Sequence, residues 1–345
     1  MDFVHFLSSH MLDPTVGGKR LYKSVVDQAL QAEKLGYHGV GIPEHHLLNL
    51  LLIPSPLQMA VKIAAHTSRV KLMTAVCQLP LRNMRVFAGE VVQAQALCDG
   101  RLMLGVGKGA FACETERMGV PFAETKPRFE EDLKLLEVLL TGEDVSWHSP
   151  RYSFAEVTIM PRPEDPIPLM VAVMNPAGIE AAAKAGYHVQ TTPLGGSHQQ
   201  LIDQVDAFRR GKAAADRPLD TRLSLQRGVF LVHSDKQRRD IAERAYTYYK
   251  SFDNVFGGPG ILDKGIIRPL PRTQTLDELA ANLLVCGRDE MIDRLSVYAD
   301  LGIDEVITTS NFGQEESMTL DMMGHFAEEV MPHFRKAGAA KAIAA

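Results

Sequence analysis

The most constraining feature of this sequence is the regular alternation of strand-like and helix-like segments along nearly its whole length. Eight short apolar runs, bounded mostly by Gly, Pro or polar turns, have the pattern of buried strands. They cover residues 3–7, 40–42, 70–76, 101–106, 168–173, 187–191, 223–232 and 305–308. A segment with helical periodicity follows each run, so we expect parallel strands joined by right-handed crossovers.

Eight such units predict a closed (β/α)8 barrel, the TIM barrel, as a single domain over residues 1–336. An open doubly wound sheet is the alternative, but it requires a glycine-rich turn directly after the first strand. Here the first strand runs into SSHM at residues 8–11, which contains no glycine. Residues 147–160 are predicted to form a small hairpin outside the alternation, and the tail 337–345 to be frayed.

Bulk composition excludes several classes of protein. The chain is 46% apolar and 23% charged, which is typical of a soluble globular protein. Its net charge of -5, without a long basic run, disfavours nucleic acid or an anionic membrane as a partner. The N-terminus lacks the pattern of a signal peptide and no long apolar span follows, so we expect a cytoplasmic protein. The four cysteines show no CxxC spacing and are predicted to be free thiols.

The first candidate site follows the second strand, where Glu44, His45 and His46 stand in succession. The carboxyl ends of parallel barrel strands share one mouth, where the chemistry of such folds is placed. Successive residues of an extended chain point to opposite faces, which argues against one shared metal ion, and no metal is predicted. We expect His45 to enter the mouth as a proton or hydrogen-bond donor, with Glu44 as a second candidate catalytic residue. The alternative is that both imidazoles only orient the loop.

Two further strand ends carry features suited to a ligand. Small residues at Thr74-Ala75-Val76 would let a flat ligand lie close to the backbone. The run LGVGKG at 104–109 fits neither the P-loop nor the dinucleotide fingerprint. It does expose the amine of Lys108, a compact cation suited to a phosphate. A solvated surface lysine is the alternative at that position.

The fourth candidate site is the start of the helix after the fifth strand. Asn175 is a preferred N-cap and Pro176 suits the first helical position. The next amides, around Ala177 and Gly178, are expected to be free at the positive end of the helix dipole, where an anion binds readily. A plain capped helix is the alternative. Because the fourth and fifth strands are neighbours, we expect one phosphate between Lys108 and this helix end.

Taken in this order, these stretches resemble the bacterial luciferase-like monooxygenase family of flavin-dependent enzymes. The resemblance covers nearly the whole chain and includes MDFVHF at 1–6, DGRLMLGVGKG at 99–109, LGID at 301–304 and VMPHF at 330–334. It implies that reduced FMN, supplied by a separate NAD(P)H:flavin reductase, reacts with O2. The resulting C4a-hydroperoxyflavin would oxygenate a small organic substrate. A homodimer, packed through helices near the second and third strands, is implied by the resemblance alone.

The resemblance also implies roles for residues around the flavin ring. His45 matches the family's catalytic histidine, and Phe6 would line the ring pocket. Ala75 and Val76 match a non-proline cis peptide against the isoalloxazine ring, a feature expected only at a functional site. The glycine-rich segment 251–275 occupies the place of the family's mobile lid, which would exclude water from the flavin. An ordinary disordered loop is the alternative for that segment.

Around the FMN phosphate the match includes departures. Lys108 falls where luciferase has an arginine, and Asn175 and Gly178 fall where it has hydroxyl residues. Met174, also placed at the cofactor, replaces an acidic residue. Lysine loses the bidentate geometry of arginine and is expected to lower the affinity for phosphate. Gly107 replaces a cysteine close to the flavin, so a family member is expected and a light-emitting luciferase is not.

Two other functions are compatible with the same resemblance. A relative that uses the deazaflavin F420 for hydride transfer would need more basic residues for the long acidic tail. Lys108, with modest support from Arg82 and Arg85, therefore favours FMN. A non-catalytic flavin-binding subunit would not need His45. An apolar substrate is expected, because apolar residues lie on the predicted mouth loops: Phe111, residues 47–52, Met174 and Leu194.

Overall fold

The barrel of eight parallel strands is the centre of the computed structural model, which describes residues 1–216 and 218–335. The strands are β1 Asp2–Phe6, β2 Gly39–Ile42, β3 Lys71–Thr74, β4 Leu102–Gly107, β5 Leu169–Ala172, β6 His188–Thr191, β7 Leu223–Leu231 and β8 Glu305–Thr309. Each pairs in parallel with the next, and β8 pairs back onto β1 with Ile307 opposite Val4. The predicted (β/α)8 barrel is confirmed, and every predicted strand lies within two residues of its observed bounds.

Helices surround the barrel as an outer layer. They are α1 Gly17–Leu35, α2 Pro56–Ala64, α3 Met84–Leu97, α4 Ala112–Arg117, α5 Thr125–Thr141, α6 Pro176–Ala185, α7 His198–Ala213, α8 Asp235–Val255, α9 Leu276–Asn282, α10 Arg288–Asp300 and α11 Glu316–Glu329. Short 3-10 helices cover Pro14–Val16, Leu79–Leu81, Phe122–Glu124 and Met331–Phe334. Gly36 ends α1 in the left-handed conformation at φ 76°, which glycine adopts at no steric cost. Of the helices described, none is long and apolar enough to cross a bilayer.

The core has two main parts, and a third, small cluster includes Leu48, Leu50 and Phe111. The larger lies between the strands and the helices and includes the fully buried Phe87, Phe230 and Phe326. Burial of an aromatic side chain of this size contributes about 1.5–3 kcal/mol. The smaller part fills the barrel itself, where Phe6 packs with Ile307 among other apolar side chains. All four cysteines are free thiols, as predicted.

Four segments depart from the simple alternation. The predicted hairpin at 147–160 is present, with Val145–His148 antiparallel to Ser153–Val157. In contrast, α8 continues to Val255, so the first residues of the predicted lid 251–275 are helical, and Leu262–Asp263 then pairs with Ile266–Ile267. Two further short strands were not predicted from the sequence: Leu284–Cys286 pairs in parallel with the end of β7, and Cys77–Gln78 pairs in parallel with the end of β4. The predicted frayed tail 337–345 lies outside the described residues.

Candidate active site

His45 is held in one orientation at the carboxyl end of β2. Its ring stacks on Phe111, with centroids 4.2 Å apart and planes 9° apart. Its Nδ1 lies 3.0 Å from Oε2 of Glu114. The His45 side chain is only 13% exposed. Among the described residues nothing hydrogen-bonds its Nε2, so this nitrogen is the one available for chemistry.

Glu114 is the partner that the sequence analysis missed. It lies in α4, the short helix after β4, and its side chain is fully buried. The carboxylate also accepts hydrogen bonds from the His46 N–H and from Nε2 of Gln78, the latter at 3.3 Å. Burial raises the pKa of Glu114, but the charge of His45 and these hydrogen bonds outweigh it and hold the pKa below its ordinary value. An ionised Glu114 keeps the proton on Nδ1 of His45 and leaves Nε2 as the basic nitrogen.

Glu44 is occupied by a different set of partners. Its buried carboxylate lies 2.7 Å from the Arg82 guanidinium and 2.8 Å from Nε2 of His46, and it accepts the Gln78 N–H at 3.1 Å. Removing one partner from such a buried pair typically costs about 3–5 kcal/mol. Both oxygens of Glu44 are therefore engaged by fixed partners, and the catalytic role expected from the sequence stays a prediction. The two histidines therefore differ: Nε2 of His46 is bound to Glu44, whereas Nε2 of His45 has no hydrogen-bond partner among the described residues.

One side of the barrel mouth is lined by very small residues. Gly41 faces Phe6 and Ala75, and a Cβ at Gly41 would lie 3.1 Å from the Phe6 ring. A Cβ at Gly107 would lie 2.7 Å from Cγ2 of Val76, so β4 and the end of β3 approach closely there. The Ala75–Val76 peptide bond is cis, as the resemblance implied. This small-residue wall fits a flat ring system without a side chain in its way.

The opposite side of the mouth is polar. Nε2 of Gln190 donates to Oε1 of Gln226 at 3.0 Å, and Nε2 of Gln226 donates to the Thr309 hydroxyl at 3.0 Å. These residues come from the neighbouring strands β6, β7 and β8. Oε1 of Gln190 is buried and has no partner among the described residues. The mouth is therefore less apolar than the sequence analysis expected, and this polar wall could hydrogen-bond a ligand.

Lys108 leaves the barrel one residue after β4 ends. Its amine lies 4.6 Å from the centroid of the Phe122 ring. Partial burial of the amine and, to a smaller extent, repulsion by Lys126 lower its pKa. The predicted pairing of the fourth and fifth strands is confirmed, with Val106 opposite Val171. Lys108 has no ion-pair partner among the described residues, which leaves its charge available to an anion.

The start of α6 has the predicted cap but fewer free amides than expected. Oδ1 of Asn175 accepts the Gly178 N–H at 2.8 Å, so this amide is not free for an anion. A Cβ at Gly178 would lie 2.6 Å from Cγ2 of Val173, so packing itself requires glycine here. The carbonyl of Met174 accepts from Gln204 at 2.9 Å, which fixes the preceding turn. Whether Lys108 and this helix end share a phosphate stays a prediction.

The end of α8, together with the segment that follows it, covers the His45–Phe111 stack. Phe252 meets the Phe111 ring edge-on, with centroids 5.4 Å apart, and Phe111 is only 1% exposed. The side chain of Asn254 bonds to the backbone on both sides of the segment, donating to the carbonyls of Ile261 and Arg268 at 2.9 and 2.8 Å. Val255 and Ile267 are buried in the same cluster as Phe111, so residues 251–275 are anchored to the barrel mouth, and their role as a lid stays a prediction.

The fold and the site together define a (β/α)8 barrel whose mouth holds a buried histidine–glutamate pair beside a wall of small residues. The sequence model of the luciferase-like monooxygenases matches residues 1–305. The chain belongs to this family.

Known relatives include oxidoreductases with two kinds of cofactor. The oxygenase component of flavin-dependent trigonelline monooxygenase from Acinetobacter baylyi is 25% identical over 97% of this chain and 96% of its own length. An F420-dependent glucose-6-phosphate dehydrogenase from Amycolatopsis mediterranei is 24% identical over 92% of this chain and 96% of its own. The crystal structure of monooxygenase RslO1 from Streptomyces bottropensis superimposes with a TM-score of 0.83 at 22% identity, covering 97% of this chain and all of that one.

Proposed function

We propose that this chain is the oxygenase component of a two-component flavin-dependent monooxygenase. It would take reduced FMN from a separate NAD(P)H:flavin reductase and use O2 to oxygenate a small organic substrate. The observation that carries the proposal is the fixed His45, with Glu114 on one ring nitrogen and the other nitrogen free, beside a wall of small residues. The similarity to an oxygenase component of the same length supports it.

The residues that would hold FMN fall into two groups. Phe6, Ala75 and Val76 would contact the ring, for which the missing side chain at Gly41 leaves a flat surface. Lys108 would pair with the phosphate, together with the helix end formed by Met174, Asn175 and Gly178. When bound, reduced FMN supplies the two electrons that O2 activation requires.

His45 would act as the group that exchanges protons at the mouth. Glu114 holds the proton on Nδ1, so Nε2 can accept a proton from the reacting groups and return it. The Phe111 stack fixes the plane of the ring, and Glu44 with Arg82 fixes the loop that carries it. Such a positioned acid–base group is typically worth about 10²–10⁴ in rate.

The second candidate is F420-dependent hydride transfer, which the F420-dependent relative supports. Against it, the basic residues that could bind a long acidic tail are engaged elsewhere. Arg82 is paired with the buried Glu44, and the Arg85 guanidinium lies 5.2 Å from the centroid of the Phe154 ring. A lone Lys108 suits the single phosphate of FMN better. The third hypothesis is a non-catalytic flavin-binding subunit, which would not need the buried pair of His45 and Glu114.

Anaerobic titration of the apoprotein with reduced FMN and with reduced F420, followed by a pulse of O2, tests these readings. We expect reduced FMN to bind more tightly, by at least about tenfold (1.4 kcal/mol), and the complex to consume O2. Tighter binding of F420 without O2 consumption would reject the proposal in favour of hydride transfer. Binding of reduced FMN with no consumption of O2 would favour the flavin-binding subunit.

The His45→Ala variant tests the proton-exchange role separately. It should bind reduced FMN within about threefold of wild type but lose most product formation once a substrate is found, by about 10²-fold or more. His66→Ala is the matched control, because His66 is exposed and bonds only to Lys62 on the surface. Unchanged turnover in His45→Ala would remove His45 from the chemistry.

The proposal includes two assemblies implied by the resemblance, the transient one with the reductase and a homodimer. We place the dimer contact on the outer faces of α2 and α3. Val86 and Leu97 of α3 are 60% and 53% exposed there, and a dimer contact on this face would bury both side chains. A monomeric mass in solution at micromolar concentration would exclude the homodimer.

A further inference from the structure

Three potential metal ligands meet on the surface, and none takes part in the site described above. They are His233, in the loop between β7 and α8, and His325 and Glu329, one turn apart on α11. Side chains four residues apart on a helix lie on the same face, one above the other. His233 reaches the same face from a different element, 92 residues earlier in the chain.

The three side chains converge around one carboxylate oxygen. Oε1 of Glu329 lies 3.2 Å from Nδ1 of His325 and 3.9 Å from Nε2 of His233. All three ligand atoms lie within 4.8 Å of one another. Around a tetrahedral zinc ion with bonds of about 2.0–2.2 Å, neighbouring ligand atoms are about 3.3–3.5 Å apart. The longer of the observed separations exceed these values by up to about 1 Å, and rotation of the partly exposed side chains can close this difference.

We infer that His233, His325 and Glu329 form a binding site for a divalent transition-metal ion, with Zn²⁺ the best match. Two imidazole nitrogens and one carboxylate oxygen suit Zn²⁺ and its neighbours in the first transition row. Ca²⁺ and Mg²⁺ require oxygen ligands and are not expected to bind. A water molecule would take the fourth position.

The loop that carries His233 is already fixed before any ion binds. The N–H of His233 donates to Oε1 of Gln237 at 2.9 Å, and Ser234 caps the start of α8 by accepting the Gln237 N–H at 3.2 Å. A surface ion pair between His325 and Glu329 would be worth about 0–1 kcal/mol and would not require His233. The position of His233 against both partners is what distinguishes a metal site from an ordinary helical pair.

The ion would fasten the beginning of α8 to the end of α11. An ion at this position would also affect the cover over the His45–Phe111 stack, because Phe252, near the other end of α8, packs on Phe111. Fixing one end of a helix restricts the motions of the whole element. The bound ion should therefore stabilise the fold and protect the backbone amides in the first turns of α8 from hydrogen exchange.

The test is calorimetric titration of the full chain, first treated with EDTA and then dialysed, with ZnSO4. One equivalent should bind, and His233→Ala and His325→Ala should each weaken binding by roughly 100-fold, because each removes one of only three protein ligands. His148→Ala is the matched control, since this exposed histidine hydrogen-bonds only to Ser153. MgCl2 and CaCl2 should give no measurable heat.

Thermal unfolding gives a second measurement on the same proteins. At a free Zn²⁺ concentration about 100-fold above Kd, Tm of wild type should rise by about 4 °C, and those of the two histidine variants should not. Circular dichroism of each variant without metal verifies that it is folded. Equal Zn²⁺ affinity in wild type and both histidine variants would overturn the inference, because the ion would then bind elsewhere.

Discussion

Replacement of Glu114 by glutamine is the most informative single change at the mouth. It keeps the shape of the side chain but removes the charge that holds the proton on Nδ1 of His45. The new amide can accept from the His46 N–H only if its NH2 group turns toward Nδ1 of His45. In that arrangement Nδ1 must become the acceptor, so the proton moves to Nε2 and the basic nitrogen is lost from the mouth.

The magnitude of the effect follows from the contacts. Glu114 accepts hydrogen bonds from three donors, and the one from Gln78 is long at 3.3 Å. In the arrangement described above, glutamine accepts only the His46 N–H, and each hydrogen bond to a charged group contributes about 1.5–3 kcal/mol. With one strong bond weakened and the Gln78 NH2 facing another donor, the free energy of unfolding should fall by about 2–4 kcal/mol. A reversed tautomer should lower turnover by about 10²–10⁴.

The assay is 15N NMR of the histidine rings at neutral pH, combined with urea unfolding. In wild type the His45 ring should carry its proton on Nδ1, and in Glu114→Gln on Nε2. Glu116→Gln is the matched control, because Glu116 is exposed two residues further along the same helix. The same tautomer in wild type and Glu114→Gln, or a loss of stability no larger than in Glu116→Gln, would refute the assigned role of Glu114.

Three further changes test other parts of the structure. Lys108→Ala should weaken the binding of FMN about tenfold or more, but the binding of riboflavin, which has no phosphate, less than threefold. Fluorescence titration measures both affinities, with Lys134→Ala as the control. Equal effects on the two ligands would contradict the phosphate role. Phe252→Ala removes the ring that covers the His45–Phe111 stack, so a larger fraction of the reduced flavin should be oxidised with release of H2O2 and without product. Ile266→Ala, at an exposed position of the same segment, should leave this fraction unchanged. Burial lowers the pKa of His5 to about 4, whereas the pKa of a histidine in the unfolded chain is about 6.5. Between these two pH values the unfolded chain binds more protons than the folded protein. The free energy of unfolding therefore falls as pH is lowered through this window. Relative to His5→Gln, wild type should lose about 1.4 kcal/mol per pH unit there in urea unfolding, and parallel pH profiles would refute this.

The barrel could be predicted from the sequence because its signal is local and repeated. Each strand is a short apolar run with a helix after it, and the end of β2 placed His45 at the mouth without any knowledge of tertiary contacts. The cap formed by Asn175 and Pro176 was equally local, since a cap depends only on residues within one turn.

The partners of His45 could not be predicted in the same way. Glu114 is 69 residues away in sequence and lies in a helix of six residues, too short to show a periodicity. The anchoring of residues 251–275 could not be predicted either, because the glycines of this segment indicate a loose loop. Its anchors are single side chains, Asn254 and Phe252, whose contacts appear only in three dimensions.

The division of the mouth along the chain has a practical consequence. Every residue that fixes His45, from Glu44 to Glu114, comes from the first half of the barrel, whereas Gln190, Gln226 and Thr309 come from the second. The residues of the proposed proton exchange at His45 and those of the hydrogen-bonding surface opposite it therefore belong to separate stretches of the sequence. Grafting the strands β6–β8 of another family member onto this chain, with α8 retained so that Phe252 stays on Phe111, should change which molecules hydrogen-bond at the mouth and leave the contacts of His45 unchanged.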